Sequence, residues 1–249
     1  MGSIDGAVVI VTGASRGIGE ACARDIARRG GRVVCTARND DAIRRVADEI
    51  EASGGDAIPV TADISVPADN RRVVDAALAA YGRLDALVAN AAIDAPLGLA
   101  WEITEDEWRQ VIDVDLSGAW WSIQPLLPIF MGQRAGKIVI MSSVAARAGS
   151  AIHSPAYAAA KAGLLGLTVG LAAQLEPYGV LVNAITPGST GTTGTPVTDR
   201  ERDEYLPSHP LGFGGAQPIV AAVAYLLGEG GDWVSGAVLN VSGGALRGI

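Results

Sequence analysis

Amino groups are nearly absent from this chain, which has only two lysines, Lys137 and Lys161, in 249 residues. The other cations are arginines scattered along the sequence rather than gathered in a stripe. With a formal net charge of −8, this argues against a nucleic-acid-binding face. Cysteine is equally scarce: Cys22 and Cys35 lack metal-site spacing, and their places in a first helix and a second strand predict buried thiols, not a disulfide. The two histidines add no metal cluster, so no metal is expected. Aromatics make up only 5% of the chain against 49% apolar residues, so small aliphatic side chains must fill the interior. That composition suits a parallel sheet covered by helices. The N-terminus lacks a secretory leader pattern, and Gly6 stands where a myristoylation motif needs Ser or Thr. No apolar run reads as long enough to cross a bilayer, so a cytoplasmic protein without a membrane partner is expected.

What is present is an alternation. Strand-like runs at Val8–Val11, Arg32–Ala37, Ala57–Thr61, Leu84–Ala89, Lys137–Ser142, Leu181–Ile185 and Val238–Val241 are separated by helical periodicity. The helices are predicted near Gly17–Arg29, Asp41–Ser53, Pro67–Tyr81, Glu105–Met131, Ala156–Glu176 and Pro218–Leu227. Such a pattern implies an α/β doubly wound parallel sheet of about seven strands with helices on both faces and ligands at the strands' carboxyl ends. No repeat or linker divides the chain, so 1–249 reads as one domain. The helices around 116–131 and 162–175 are apolar on more than one face, which predicts a second copy of the chain as partner.

Two local patterns carry chemistry. Tyr157 and Lys161, four residues apart on a predicted helix, point along one face. Accident gives such an offset odds of about 4% in a chain with five tyrosines and two lysines. A free phenol titrates near ~10, and about 4 kcal/mol of preference for the phenolate would bring one to neutrality. An ammonium ~4 Å away, at an effective dielectric of ~20, supplies roughly that much. A tyrosine so placed is a candidate acid and base. Upstream, the run Ala7 to Thr12 breaks into glycines at Gly13, Gly17 and Gly19 before helix-forming sequence. This is the strand, tight turn and helix of a Rossmann-like dinucleotide-binding unit, in which small residues admit a pyrophosphate to the helix start.

Thr12-Gly-Ala-Ser-Arg-Gly-Ile-Gly19 and Tyr157-Ala-Ala-Ala-Lys161 resemble the short-chain dehydrogenase/reductases. The resemblance extends over nearly the whole chain, through Asp63-Ile64, Ala89-Asn-Ala-Ala92, Ser142-Ser143, Pro187-Gly188 and Val241-Ser-Gly-Gly244 in the family's order. It implies that Gly13, Ser15, Arg16, Gly17, Ile18 and Gly19 cradle a nicotinamide dinucleotide, that Asp63 and Ile64 hold its adenine, and that Asn90 and Ala91 line the adenosine side. Pro187, Gly188, Thr190 and Thr192 would meet the nicotinamide carboxamide and phosphates, and Lys161 the ribose hydroxyls. Ser143, with Ser142 as competitor, would hydrogen-bond the substrate oxygen as charge develops there.

At the end of the second strand, where a carboxylate would accept the ribose hydroxyls of NAD, the chain has Arg38 and no acid until Asp40. Arg38 and Arg16 suit the 2′-phosphate of NADP, which is therefore expected over NAD. The segment 189–216, rich in Gly, Thr and Pro and containing His209, reads as a substrate flap, with Asp199–Glu204 a solvated turn within it. Trp101, Trp120 and Trp121 read as core or interface.

Several positions depart from the family pattern. Ser143 lies fourteen residues before Tyr157, one more than usual. Ala89 replaces an asparagine, Ala92 a glycine, and Ser242 a frequent aspartate. Asp115 stands where the family places the asparagine of its proton relay. A buried carboxylate there would offset the pull of Lys161 on Tyr157 and shift the pH optimum. The expected function is NADP(H)-dependent interconversion of a ketone and a secondary alcohol, by resemblance closest to 3-oxoacyl-(acyl carrier protein) reductases, in a homotetramer or homodimer. An NAD-dependent sugar or secondary-alcohol dehydrogenase and a non-catalytic dinucleotide-binding scaffold are the alternatives.

Overall fold

The computed structural model describes residues 4–93, 98–149, 153–191, 207 and 209–247. Seven strands form one parallel sheet: β1 (Val8–Thr12), β2 (Arg32–Ala37), β3 (Asp56–Thr61), β4 (Ala86–Ala89), β5 (Gly136–Met141), β6 (Val180–Pro187) and β7 (Val238–Val241). Their spatial order is β3-β2-β1-β4-β5-β6-β7. The winding therefore reverses between β1 and β4, where a crevice opens beyond the strand ends.

One face of the sheet is covered by α1 (Gly17–Arg28), α2 (Asp40–Ala52) and α8 (Gln217–Leu227), through Ile26, Val46, Ile50, Ile219 and Val223. The other is covered by α3 (Pro67–Tyr81), α5 (Gly118–Ile123), α6 (Leu127–Gln133) and α7 (Pro155–Leu175), through Val73, Ile123, Phe130, Leu164 and Leu171. Strands buried on both faces have no polar side to alternate with, which is why β1 is apolar from Val8 to Val11.

Expected and observed bounds agree to within two residues, with one exception. The helix expected over 105–131 is broken into α4 (Glu105–Ile112), a π-turn at Asp113–Ser117, α5, a 3-10 turn at Gln124–Leu126 and α6. Pro125 and Pro128, which lack backbone N–H groups, account for the later breaks. The fourth strand starts at Ala86 rather than Leu84 because the Asp85 carboxylate, paired with Arg83, itself accepts the Val8 N–H at 2.8 Å.

Cys22 and Cys35 are free and buried, and desolvation pushes each thiol up to about 12. Trp101 is 80% exposed, so it is not core in the single chain. Contrary to the sequence expectation, α7 and its terminal turn, Pro155–Tyr178, have the length and composition of a bilayer span. Of that apolar stretch 39% is buried, against the sheet through Leu164, Leu171 and Leu175.

Lys137 shows how a buried lysine is tolerated. Its Nζ donates to the carbonyls of Leu227 (3.0 Å) and Gly228 (2.7 Å) and pairs with Asp232 at 2.5 Å. The ammonium thus satisfies the carbonyl end of α8 and complements its dipole while tying the helix to β5. Lys137→Ala is expected to lower unfolding free energy by about 2–4 kcal/mol, since orphaned buried acceptors each cost ~1–3 kcal/mol. A urea unfolding midpoint within error of the parent would refute this.

Candidate active site

The crevice between β1 and β4 is held together by Thr12. Its Oγ1 accepts the N–H groups of Asn90 and Ala91, each at 3.0 Å, and reaches the Val88 carbonyl at 3.5 Å. Asn90 returns the contact, donating Nδ2–H to the Thr12 carbonyl at 3.0 Å. Asn90 therefore buttresses the glycine turn by its side chain, rather than only lining an adenosine pocket.

The turn is closely fitted. Gly13 has φ +69°, and a Cβ there would come within 2.8 Å of the Ala91 Cα. A Cβ on Gly19 would overlap the Gly13 carbonyl oxygen. Gly17 also has a positive φ, +60°. Arg16 occupies the N-cap position of α1, and among the described residues no side chain caps that helix start. Gly13, Gly17 and Gly19 thus leave a small-residue approach to the amides at the start of α1, flanked by Ser15, Arg16 and Ile18, which fits a dinucleotide pyrophosphate.

Arg38 is exposed at the end of β2 and makes no ion pair among the described residues. Asp40, the first acid after it, is committed elsewhere: it pairs with Arg44 at 2.6 Å and accepts from Thr61. The Arg44 guanidinium holds its carboxyl below the usual range. Asp63 accepts the N–H and hydroxyl of Ser65, at 2.9 and 2.7 Å, and its own N–H goes to Asp69. Ile64 is buried against Gly118, whose Cβ would lie 2.8 Å from its Cδ1.

At the carboxyl ends of β4 and β5 the second half of the site converges. Lys161 is buried in α7, its Nζ 5.5 Å from the centroid of the half-buried Tyr157 ring. The ammonium is 3.4 Å from the Met141 carbonyl and 3.5 Å from the Asp115 carboxylate. Asp115 is itself fully buried, and its Oδ1 accepts the Ile93 N–H at 2.8 Å. It sits in the π-turn, a widening of the helix found frequently at functional positions.

The two serines differ. Ser142 is buried and donates its hydroxyl to the Lys161 carbonyl at 2.8 Å, which fixes β5 to α7. Ser143 is half-buried, and its Oγ accepts the Ala145 N–H at 3.1 Å, leaving its proton to be donated elsewhere.

Pro187 ends β6, and Gly188 lies so close to β7 that a Cβ would be 2.8 Å from the Ser242 carbonyl. A cavity of about 470 Å³ opens beside Gly188, Ser189 and Thr190, bounded by Pro218, Asn240 and Gly243. His209, expected only as part of the flap, is buried, and its Nε2 accepts the Ser189 N–H at 3.1 Å. Thr192 and the run Asp199–Glu204 lie outside the described residues.

Sequence reasoning missed the Thr12 junction and the His209 contact. Thr12 carried a signal, a hydroxyl at the end of an apolar strand, but its partners are 76 to 79 residues away.

Comparison with known proteins agrees on the family. A family model described as short chain dehydrogenase matches residues 7–204. The chain is 34% identical to the 3-oxoacyl-(acyl-carrier-protein) reductase FabG of Salmonella typhimurium, covering 97% of this chain and 98% of that one. It is 37% identical to L-rhamnose 1-dehydrogenase (NAD(P)(+)) of Azotobacter vinelandii, with 95% of each chain covered. Among solved structures, a 3-oxoacyl-(acyl-carrier protein) reductase with bound NAD from Brucella melitensis superposes with a TM-score of 0.91 at 33% identity, covering 98% of this chain and 93% of that one.

Proposed function

The chain belongs to the short-chain dehydrogenase family and is an NAD(P)-dependent oxidoreductase acting on CH–OH and C=O groups; from that premise we propose an NADP(H)-dependent ketoreductase with Tyr157 as acid and base. The observation that carries this reading is the buried Lys161 ammonium beside the Tyr157 ring, on one face of α7 at the carboxyl edge of the sheet.

The nicotinamide, when bound, supplies the hydride for reduction and takes it up in oxidation. Gly13 to Gly19 and the start of α1 would hold the pyrophosphate, and Asp63 and Ile64 the adenine. Pro187, Gly188, Thr190 and Thr192 would meet the nicotinamide end. Tyr157 gives its hydroxyl proton to the carbonyl oxygen as the C–H bond forms, and Lys161 stabilises the phenolate left behind. Ser143 donates its free proton to the same oxygen, and Asp115 anchors Lys161 and the chain at Ile93. The phenolate is reprotonated from solvent, so ketone, hydride and one proton yield the alcohol.

NADP is favoured because Arg38 is exposed at the end of β2 while Asp40, bound to Arg44 and Thr61, is not offered to ribose hydroxyls. An NAD-linked dehydrogenase of sugars or secondary alcohols is the second reading, favoured by the 37% identity to a rhamnose dehydrogenase. The outer face of α7, where Val169 is 55% exposed and a Cβ on Gly166 or Gly170 would meet open space, suits close approach of another copy. A cytoplasmic homotetramer is part of the proposal, and the free thiols suit a reducing compartment.

Tyr157→Phe is expected to lower kcat by about 10²- to 10⁴-fold, the usual contribution of a positioned acid, while NADPH affinity stays within twofold. The assay follows reduced nicotinamide absorbance with ketones, oxoacyl thioesters and sugars; full speed in the variant, or binding of NADPH without turnover of any substrate, would sink the assignment. Asp115→Asn removes a negative charge that opposes phenolate formation. The acid limb of the pH–rate profile for alcohol oxidation should therefore move to lower pH, and an unchanged profile would contradict the role given to Asp115. Sedimentation equilibrium should return the mass of four chains, and a monomer would overturn the assembly.

A further inference from the structure

Between α1 and α2, four charged side chains close a ring beside the glycine turn. Glu20 on α1 accepts from Arg24 at 2.7 Å and from Arg45 on α2 at 3.1 Å. Glu49 on α2 accepts from Arg45 at 3.3 Å and also pairs with Arg24. Two acids and two guanidiniums cancel in charge. As exposed pairs, with Arg45 46% exposed and Glu49 47%, they stabilise the fold little.

Arg45 does one thing that an ordinary surface pair does not. Its Nη2 also donates to the Ser15 carbonyl at 3.3 Å, within the cofactor turn. That carbonyl belongs to the same peptide unit as the Arg16 N–H. Because the unit is planar, a grip on its oxygen fixes where the N–H and the residue after it are aimed. Glu20 supports the arrangement from the α1 side, so the guanidinium fork is held at two points, as a lysine head could not be.

We propose that Arg45 is a positioning residue for cofactor choice: by holding the Ser15–Arg16 peptide it presents Arg16, together with Arg38, to the 2′-phosphate of NADP. The inference rests on the NADP reading above. It assigns α2 a part in recognition that the motif around Gly13 to Gly19 does not reveal.

The test measures dissociation constants for NADPH and NADH by titration calorimetry, alongside KM, kcat and thermal unfolding, in the parent, Arg45→Ala, Arg45→Lys and Arg38→Ala. Arg45→Ala should weaken NADPH binding by about 5- to 10-fold, the effect of one lost charge-assisted contact, with NADH binding, kcat and unfolding temperature unchanged. Arg45→Lys should behave like Arg45→Ala. Equal weakening of both cofactors would make Arg45 merely structural, an unchanged NADPH to NADH ratio would leave it idle, and a parental ratio in Arg45→Lys would assign the effect to charge rather than grip; each overturns the proposal. A parent that prefers NADH refutes the NADP reading and this inference together. A parent and Arg38→Ala that behave as expected beside an indifferent Arg45→Ala refute Arg45 alone.

Discussion

The reversal of winding between β1 and β4 is what the site depends on, and one hydroxyl closes it. Where two parallel strands leave in opposite directions across a sheet, their terminal N–H and C=O groups have no ladder to continue, and buried backbone groups must find partners. Thr12 Oγ1 receives two of those N–H groups, and Asn90 answers with its amide on the Thr12 carbonyl. The crevice is thereby kept open yet satisfied, and the glycine turn is set at a fixed height over it.

Much of this was legible beforehand, for identifiable reasons. Strands buried on both faces write themselves as apolar runs, so β1 and β2 were readable almost to the residue. Tyr157 and Lys161 were readable because helical geometry makes a four-residue offset a spatial neighbour. The glycines were readable because positive φ and close backbone approach admit little else.

The rest depends on partners distant in sequence. Nothing local distinguishes Ser142 from Ser143; only the carbonyl of Lys161, nineteen residues on, commits the first of them. The π-turn that interrupts one long helix at Asp113 carries the buried Asp115 carboxylate next to Lys161, a tertiary contact that periodicity does not encode. Nothing local marks Arg45 out among the charges of α2, because its contact with Ser15 spans thirty residues.

The two lysines share burial and differ in company: one meets the carbonyl end of a helix, the other a carboxylate and a phenol ring. Neither reaches solvent, with exposures of 4% and 3%. Every cationic side chain on the outside is therefore a guanidinium, or an imidazole when protonated. Ketones and aldehydes condense readily with primary amines but not with protonated guanidinium groups. An enzyme working on carbonyl compounds with this surface presents them no exposed side-chain amine for imine formation.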